Sequence, residues 1–382
     1  MRIGINALAW RPERQAGVDT YLRQLVGALQ QVDTENEYVV FVAAGAQGQL
    51  GVAGGRFREV VCPGLSRWRA GRVFWEQLGL ARLAADEGIE VLLCAGSVVP
   101  TNLDIPAVQV IHDLQVYHYP ENFSWLKRRF LCKVLPKSAH AARLTVASSE
   151  YTRRDVVRFL PQRQEDTRVV HLAGQASCQP ASAESVRRVR NRYGLEEGYL
   201  LCVATSHLHK NLHGLVDAYS QVDLGAGLVL VGKRGSGHSQ LARAIRQARG
   251  RERIRVLGRV PAEHLAALYT GAAAFVLPSL FEGFGMPVLE AMQCGCPVAC
   301  SAQTALPEVA GEAALLFDPR DPEAFREALS RISNDEVLRE RLREAGFAQA
   351  AKFDWKQTAR GTIRALAEAR RGGLIAAARN GR

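Results

Sequence analysis

Glu282 and Glu290, with seven residues between them, bracket a turn that carries Gly283 and Gly285. They lie in the stretch FVLPSLFEGFGMPVLEAMQCGCPVAC, Phe275 to Cys300. Val276 and Leu277 end a short apolar strand, Pro278 to Gly285 make the turn, and Met286 to Gln293 has helical spacing with Pro287 in its first turn. A strand, turn and helix in that order aim backbone N–H groups and the positive end of the helix dipole at one spot, which suits a phosphate or diphosphate. The two glycines let such a ligand approach the backbone with no Cβ in the way. In the plainer reading Glu282 is a loop surface residue and Glu290 a solvated helix position. Glu290, however, sits inside the apolar run VLEAM, where an unpaired charge is costly, so it needs a partner.

The elements that must position this turn alternate along the chain. Strand patterns fall at 1–7, 38–43, 57–61, 90–95, 108–112, 144–148 and 169–172, with helical patterns at 20–31, 72–86, 124–135 and 149–160 between several of them. The small, polar segment LAGQASCQPASA, 172–183, is a connector. A helix at 185–193 opens a second series, with strands at 199–204, 227–231, 254–257, 274–277, 298–301 and 314–317, and helices at 212–220, 239–249, 263–270, 288–293 and 322–332. Residues 336–371 are helical throughout. Alternation of this kind predicts an α/β chain of two Rossmann-like, doubly wound domains, 1–174 and 175–382. Neither half contains the GxGxxG fingerprint of nicotinamide binding.

Composition narrows the class. At 382 residues with 47% apolar and 23% charged content, the chain is that of a soluble two-domain protein. No apolar run approaches the roughly 18 to 20 residues that span a bilayer, and MRIGINALAW enters a strand without an apolar leader, so a cytoplasmic protein is expected. The eight cysteines form no CxxC pair, and Cys294, Cys296 and Cys300 match no zinc spacing, which leaves buried, reduced thiols. His209 and His213 have metal-ligand spacing but no accompanying Glu in an HExxH arrangement, so no metal site is expected.

The net charge of +11 is uneven, since Pro120 to Arg163 holds ten Lys or Arg against three acids. No base-reading aromatic motif accompanies that charge, so nucleic acid is not the expected partner and an anionic membrane surface or an acidic substrate fits better. The stretch WLKRRFLCKVLPK, 125–137, interleaves Trp125, Leu126, Phe130, Leu131 and Val134 with Lys127, Arg128, Arg129, Lys133 and Lys137. Either its apolar residues face the core of the first domain, or an amphipathic helix meets a membrane and the protein sits peripherally at its inner face.

The turn PSLFEGFGMPVLEAMQCGCPV follows at every defined position the signature PSxxEGFGxPxLEAMxxGxPV, and so resembles the family-four retaining glycosyltransferases of GT-B architecture. The resemblance implies two Rossmann-like domains facing a cleft, with final helices, here FDWKQTARGTIRAL, crossing back to the first domain. It implies that Glu282 faces the donor sugar together with the amides of Gly283, Phe284, Gly285 and Met286, and that Glu290 accepts hydrogen bonds from ribose hydroxyls.

Further positions match the family segment by segment. ATSHLHKNL resembles a G-T/S-x-x-P-x-K-N-L segment, so Lys210 matches its phosphate-binding lysine; on position alone it would be an exposed residue at a helix start. Some members carry an arginine where this chain has Thr205, and Arg234, or Lys233 beside it, is the candidate to supply that charge. Gly258, Arg259 and Val260 resemble the segment whose main chain meets the base. AGVDTYL resembles a GGVGTYL loop over the diphosphate with one glycine kept, Gly17, which stands just before the first helix. His112, in IHD after an apolar strand, corresponds to a histidine at the bond being broken, and Asp113 fixes its loop.

These matches imply a hexosyltransferase that uses a nucleotide-diphospho-sugar donor, GDP-mannose first and a UDP-hexose second, and a glycan or lipid-linked acceptor. No cofactor is expected. Without a DxD-type motif or a carboxylate placed to trap a glycosyl intermediate, the expected reaction is a metal-independent front-side displacement. The alternatives are a nucleotide-sugar epimerase or hydrolase, and an inert partner subunit.

Overall fold

The computed structural model describes residues 1–11, 17–62, 69–161 and 164–380, with helix residues 69, 70, 72–74 and 373–380 described as backbone. The chain divides into two compact units. Unit one comprises Met1–His118, Ser124–Leu172 and Asp354–Arg382, and unit two comprises Tyr119–Phe123 and Ala173–Phe353.

Among the described residues unit one holds seven parallel strands: β1 (Arg2–Asn6), β2 (Glu37–Ala43), β3 (Phe57–Cys62), β4 (Val91–Cys94), β5 (Ala107–Ile111), β6 (Leu144–Ala147) and β7 (Thr167–Val169). Their order is β3-β2-β1-β4-β5-β6-β7. The register sets Ile3 against Val91 and Ile5 against Leu93, and Val108 against Leu144. β4 and β5, VLLC and AVQVI, are buried at every residue, as strands covered on both faces must be. The α-helices of this unit ahead of the connector are, among the described residues, α1 (Gly17–Val32), α2 (Arg69–Leu78), α3 (Leu80–Asp86), α4 (Gln115–His118), α5 (Trp125–Ala141) and α6 (Glu150–Phe159).

Unit two begins its alternation with α7 (Ala183–Tyr193) and β8 (Leu200–Val203), followed by α8 (Leu212–Tyr219), β9 (Leu228–Val231), α9 (His238–Gln247), β10 (Ile254–Gly258) and α10 (Ala262–Thr270). It continues with β11 (Ala274–Leu277), α11 (Met286–Gln293), β12 (Val298–Ser301), α12 (Leu306–Ala310), β13 (Ala314–Phe317), α13 (Pro322–Asn334) and α14 (Glu336–Ala350). The six strands run parallel in the order β10-β9-β8-β11-β12-β13. After α14 the chain rejoins unit one as α15 (Trp355–Asn380), where Thr358 Oγ1 donates to His171 O at 2.7 Å and Arg370 pairs with Glu90.

Several expected elements differ in detail. Gly17 is the first residue of α1 rather than the residue before it, and residues 12–16 of the loop ahead of it lie outside the described residues. The helix expected over 72–86 breaks at Gly79, where a Cβ would stand 2.7 Å from the Trp75 ring. α5 runs past its expected end and through Pro136 to Ala141, with Leu135, Ser138 and Ala139 buried beneath it. The unbroken helix expected over 336–371 divides at residues 351–354, and Asp354 Oδ1 accepts from Lys356 N at 3.1 Å as α15 begins. The short helices α4 and α12 are additions. All eight cysteines are free and all but Cys132 are buried. No helix among the described residues is long and apolar enough to cross a membrane.

Candidate functional site

In unit two the chain leaves β8 to one side of the sheet through β9 and returns to its other side as β11. Ligands of such sheets bind outside the carboxyl ends of the strands at that point of reversal. The loop after β8 carries Lys210 in a short 3-10 turn, Leu208–Lys210, and the loop after β11 carries Glu282. Leu280 N donates to His209 O at 2.7 Å and ties the two loops together. Lys210 Nζ then donates to Glu282 Oε1 at 2.6 Å, and Ser279 Oγ donates to the same oxygen at 2.8 Å. Glu282 N donates to Thr304 Oγ1 at 2.9 Å, with Thr304 at φ 59°. The Lys210 and Glu282 side chains keep 19% and 11% of their surface open. A mostly buried pair of this kind gains little over an apolar pair, because both charges leave water, but neither member can be lost without leaving the other uncompensated.

The turn that follows needs its glycine. Gly285 has φ 105°, and a Cβ there would meet Leu306 Cδ2 at 2.6 Å. α11 starts at Met286 with no side-chain cap, so its N-terminal end is left to backbone groups. Phe284 is buried edge-on to Phe353, with ring centres 5.8 Å apart.

Glu290, five residues into α11, is 4% exposed. Its partners are within the chain: Gln175 Nε2 donates to Oε1 at 2.8 Å and the Tyr269 hydroxyl to Oε2 at 3.1 Å. Burial raises its pKa, and the two donors oppose that rise. The same burial, with the Glu290 charge beside it, pushes the Tyr269 phenol up. Both plainer readings therefore fail, since Glu282 and Glu290 are both buried.

A third loop joins the first two. Gly232 after β9 has φ 146°, and a Cβ there would stand 2.0 Å from Ala204 O. Ser206 N donates to Lys233 O at 3.0 Å, Gly235 N donates to Ser206 Oγ at 3.0 Å, and Ser206 bridges Arg234 in parallel fashion. Lys233, Arg234, Ser206, Gly232 and Gly258 help to line a cavity of about 190 Å³ at the carboxyl ends of β8, β9 and β10. Thr205 stands between two residues of the cavity lining, Ala204 and Ser206, and its carbonyl accepts from His207 N at 2.7 Å. Arg259 is exposed and Val260 buried beyond Gly258, whose carbonyl accepts from Gly232 N at 2.8 Å. Lys210, Thr205, Arg234, Glu282 and the 283–286 turn thus stand on neighbouring loops of one sheet edge, while Glu290 is set behind the turn.

Among the described residues no group of three or more His, Cys, Asp or Glu is placed to hold a metal ion. His209 is 2% exposed, and Asn122 Nδ2 lies 2.9 Å from its Nδ1. Burial, then the Lys210 and His207 charges, lower its pKa to about 2. In unit one His112 follows β5, with the Tyr21 ring edge-on at 4.6 Å. Neither buried ring nitrogen has a hydrogen bond of good geometry, and burial lowers the pKa to about 4, opposed in part by the Ala95 backbone. Asp113 Oδ1 accepts from Gln115 N at 3.0 Å and closes the turn after it. Gly17 is exposed at the start of α1.

Three contributors escape a reading by motif: Gln175 in the connector, Tyr269 near the end of α10 and Thr304 in a loop, each legible only once the chain is folded, whereas Ser279 is a defined position of the signature. The segment Tyr119–Phe123 also escapes it: it belongs to unit two, with Asn122 Oδ1 accepting from Ser236 Oγ at 2.5 Å and Tyr119 packed on His209 and Phe281.

Residues 184–349 match the family described as glycosyl transferases group 1, and residues 16–173 match glycosyltransferase family 4. The chain is 35% identical over 264 residues to O-antigen chain mannosyltransferase B of Escherichia coli, covering 68% of this chain and 69% of that one. It is 35% identical over 184 residues to the serotype-specific mannosyltransferase WbdA of E. coli, covering 47% of this chain but 23% of that protein. Among solved structures, sucrose-phosphate synthase of Thermosynechococcus elongatus superposes with a TM-score of 0.77 at 21% identity, covering 99% of this chain and all of that one, which supports the GT-B fold.

Proposed function

The chain belongs to the group 1, family 4 glycosyltransferases, and from that premise we propose that it moves a hexose, mannose first, from a nucleotide-diphospho-sugar to a hydroxyl of a glycan or lipid-linked acceptor, in the assembly of a surface polysaccharide. The observation that carries the reading is the Lys210–Glu282 contact where the unit-two sheet reverses. An incoming diphosphate offers Lys210 a second, doubly charged partner, and the same site presents the N-terminus of α11. Charge on the leaving diphosphate grows as the glycosidic bond breaks. A cation and N–H donors held in place there stabilise the transition state more than the ground state.

The cavity lined by Ser206, Gly232 and Gly258 has the position for the nucleoside base, with Arg234 or Lys233 beside it. On the residue-by-residue resemblance alone we assign Glu282 and His112 to the donor sugar and Glu290 to the ribose. The reaction we assign is a front-side displacement with retention. The acceptor oxygen bonds to the anomeric carbon on the face the diphosphate leaves, the carbon–phosphate-oxygen bond breaks, and the hydroxyl proton passes to the departing diphosphate. The cationic work falls to protein groups and requires no metal.

Mannose is favoured over other hexoses by the TSHLHKNL and SAQTALPEVAGEAALLFDP segments and by the names of the two mannosyltransferase relatives. A panel of nucleotide sugars tests the donor: GDP-mannose should raise the melting midpoint most and support mannosyl transfer, with the product anomer matching the donor's by NMR. Inversion of the anomer would reject the displacement. Release of free nucleotide diphosphate without any acceptor would point instead to hydrolysis or epimerisation.

A further inference from the structure

The plainer reading of 125–137 sends its apolar residues into the core, and α5 obeys that reading only in its second half. Leu135, Ser138 and Ala139 are buried, and Leu131 and Val134 are half-buried. The first six residues, Trp125 to Phe130, are all exposed. Trp125 shows 67% of its surface, Leu126 72% and Phe130 38%. At 3.6 residues per turn, Leu126, Arg129, Phe130, Lys133 and Lys137 fall on one stripe, opposite the buried residues. The Arg129 guanidinium lies over the Trp125 ring, 5.5 Å from its centre, which keeps a cation and an aromatic together at one end.

Apolar side chains of this size left side by side in water are uncommon on a surface that meets nothing else. Their interleaving decides between partners. α5 carries Lys127, Arg128, Arg129, Lys133 and Lys137 and no acid. A nucleic acid would use the cations and leave Leu126 and Phe130 in water. An anionic bilayer uses both: apolar groups enter the boundary between headgroups and acyl chains, while Lys and Arg reach the phosphates from the same helix. At the other end of the stripe, Thr101, Pro136, Lys137, His140 and Ala141 line a shallow cavity of about 390 Å³, large enough for a lipid headgroup, with Lys137 at its wall.

We propose that the outward face of α5 docks reversibly on an anionic lipid surface, with Trp125, Leu126 and Phe130 inserted among the headgroups and Arg129, Lys133 and Lys137 paired with lipid phosphates. This rests on the surface of one helix and is independent of the donor assignment. Each cation held near such a leaflet strengthens binding about fivefold, and each apolar side chain that leaves water adds about tenfold.

Sedimentation with phosphatidylcholine vesicles containing increasing phosphatidylglycerol tests the proposal on the full chain. Binding should rise with the anionic fraction and fall as salt goes from about 0.1 to 1 M, where the screening length shrinks from about 10 to 3 Å. The triple change Arg129→Ser, Lys133→Ser, Lys137→Ser should weaken it about a hundredfold, and Trp125→Ser with Leu126→Ser about as much. All five residues are exposed, so melting midpoints should stay at the parent value and identify any loss as a surface effect. Brominated lipid should quench fluorescence that disappears in Trp125→Phe. Binding indifferent to anionic lipid and salt, or unchanged in both variants, overturns the proposal. So does retention on an oligonucleotide without binding to vesicles, which would give the face to nucleic acid.

Discussion

Acid should destabilise this protein well above the range where carboxylates protonate, and two buried histidines, one in each unit, are the cause. His112 and His209 have pKa values lowered by burial to about 4 and about 2, against about 6.5 in an unfolded chain. The unfolded state therefore binds protons first. Each neutral ring contributes stability that is complete above about pH 6.5 and lost as pH falls below it. Between about pH 7.5 and 5 each ring loses about 2 kcal/mol, or about 4 kcal/mol together. Below about pH 4 the His112 loss levels off and only His209 continues.

The geometry agrees with the sign. Asn122 Nδ2 stands 2.9 Å from His209 Nδ1, a contact in which an amide donates and a neutral ring accepts, and protonation would replace the acceptor by a donor. Glu290 and Asp155, whose pKa values burial raises, work the other way and offset part of the loss. Asp33 and Glu90 have lowered values and act mostly below this window. Urea unfolding at the two pH values measures the effect, with His112→Gln plus His209→Gln as the comparison. The double variant should begin less stable than the parent and lose about 4 kcal/mol less on acidification. An equal acid loss in parent and variant would refute the reasoning.

Lys210→Ala should lower turnover by about 2 to 4 kcal/mol, roughly 30- to 1,000-fold, and should cost about 1 to 3 kcal/mol in urea unfolding because the buried Glu282 carboxylate loses a donor; activity within tenfold of the parent removes Lys210 from the phosphate site. Glu282→Ala should reduce turnover more than donor affinity and Glu290→Ala should weaken nucleotide binding, a division that calorimetry and steady-state kinetics can separate and that equal affinity losses with turnover kept would reject. Glu290→Ala also leaves Gln175 and Tyr269 without their acceptor and should cost about 2 to 3 kcal/mol in urea unfolding. Gly285→Ala should cost about 2 to 4 kcal/mol, from its positive φ and the Leu306 contact, and a neutral result would mean that the turn relaxes freely. Activity should survive a chelator; loss restored by magnesium or manganese would reject the metal-free reading.

Much of the fold was legible because parallel sheets bury whole strands, so apolar runs such as VLLC and AFVL announce themselves. Element ends were less so. Pro136 is a helix breaker by local chemistry, yet burial of Ser138 and Ala139 carries α5 past it. The residue pattern that located Glu282, Glu290 and Lys210 is local in sequence, whereas most of their partners are distant. Gln175 precedes Glu290 by 115 positions, and Lys210 precedes Glu282 by 72. No periodicity records a contact of that kind.

The spacing of the two glutamates has a physical reading once both surroundings are known. Glu282 stands in the loop ahead of α11, at the sheet edge and in contact with Lys210. Glu290 comes after the helix has begun and is turned against the connector and α10, where Gln175 and Tyr269 hold it. Seven intervening residues therefore carry one strand-turn-helix unit from a partly open carboxylate beside a cation to a closed one beside neutral donors. Gly285 sets the angle between them, because its φ of 105° starts the helix directly from the turn. The proposed donor would lie along that unit with its sugar at the charged pair, its diphosphate at the helix N-terminus and its ribose at Glu290.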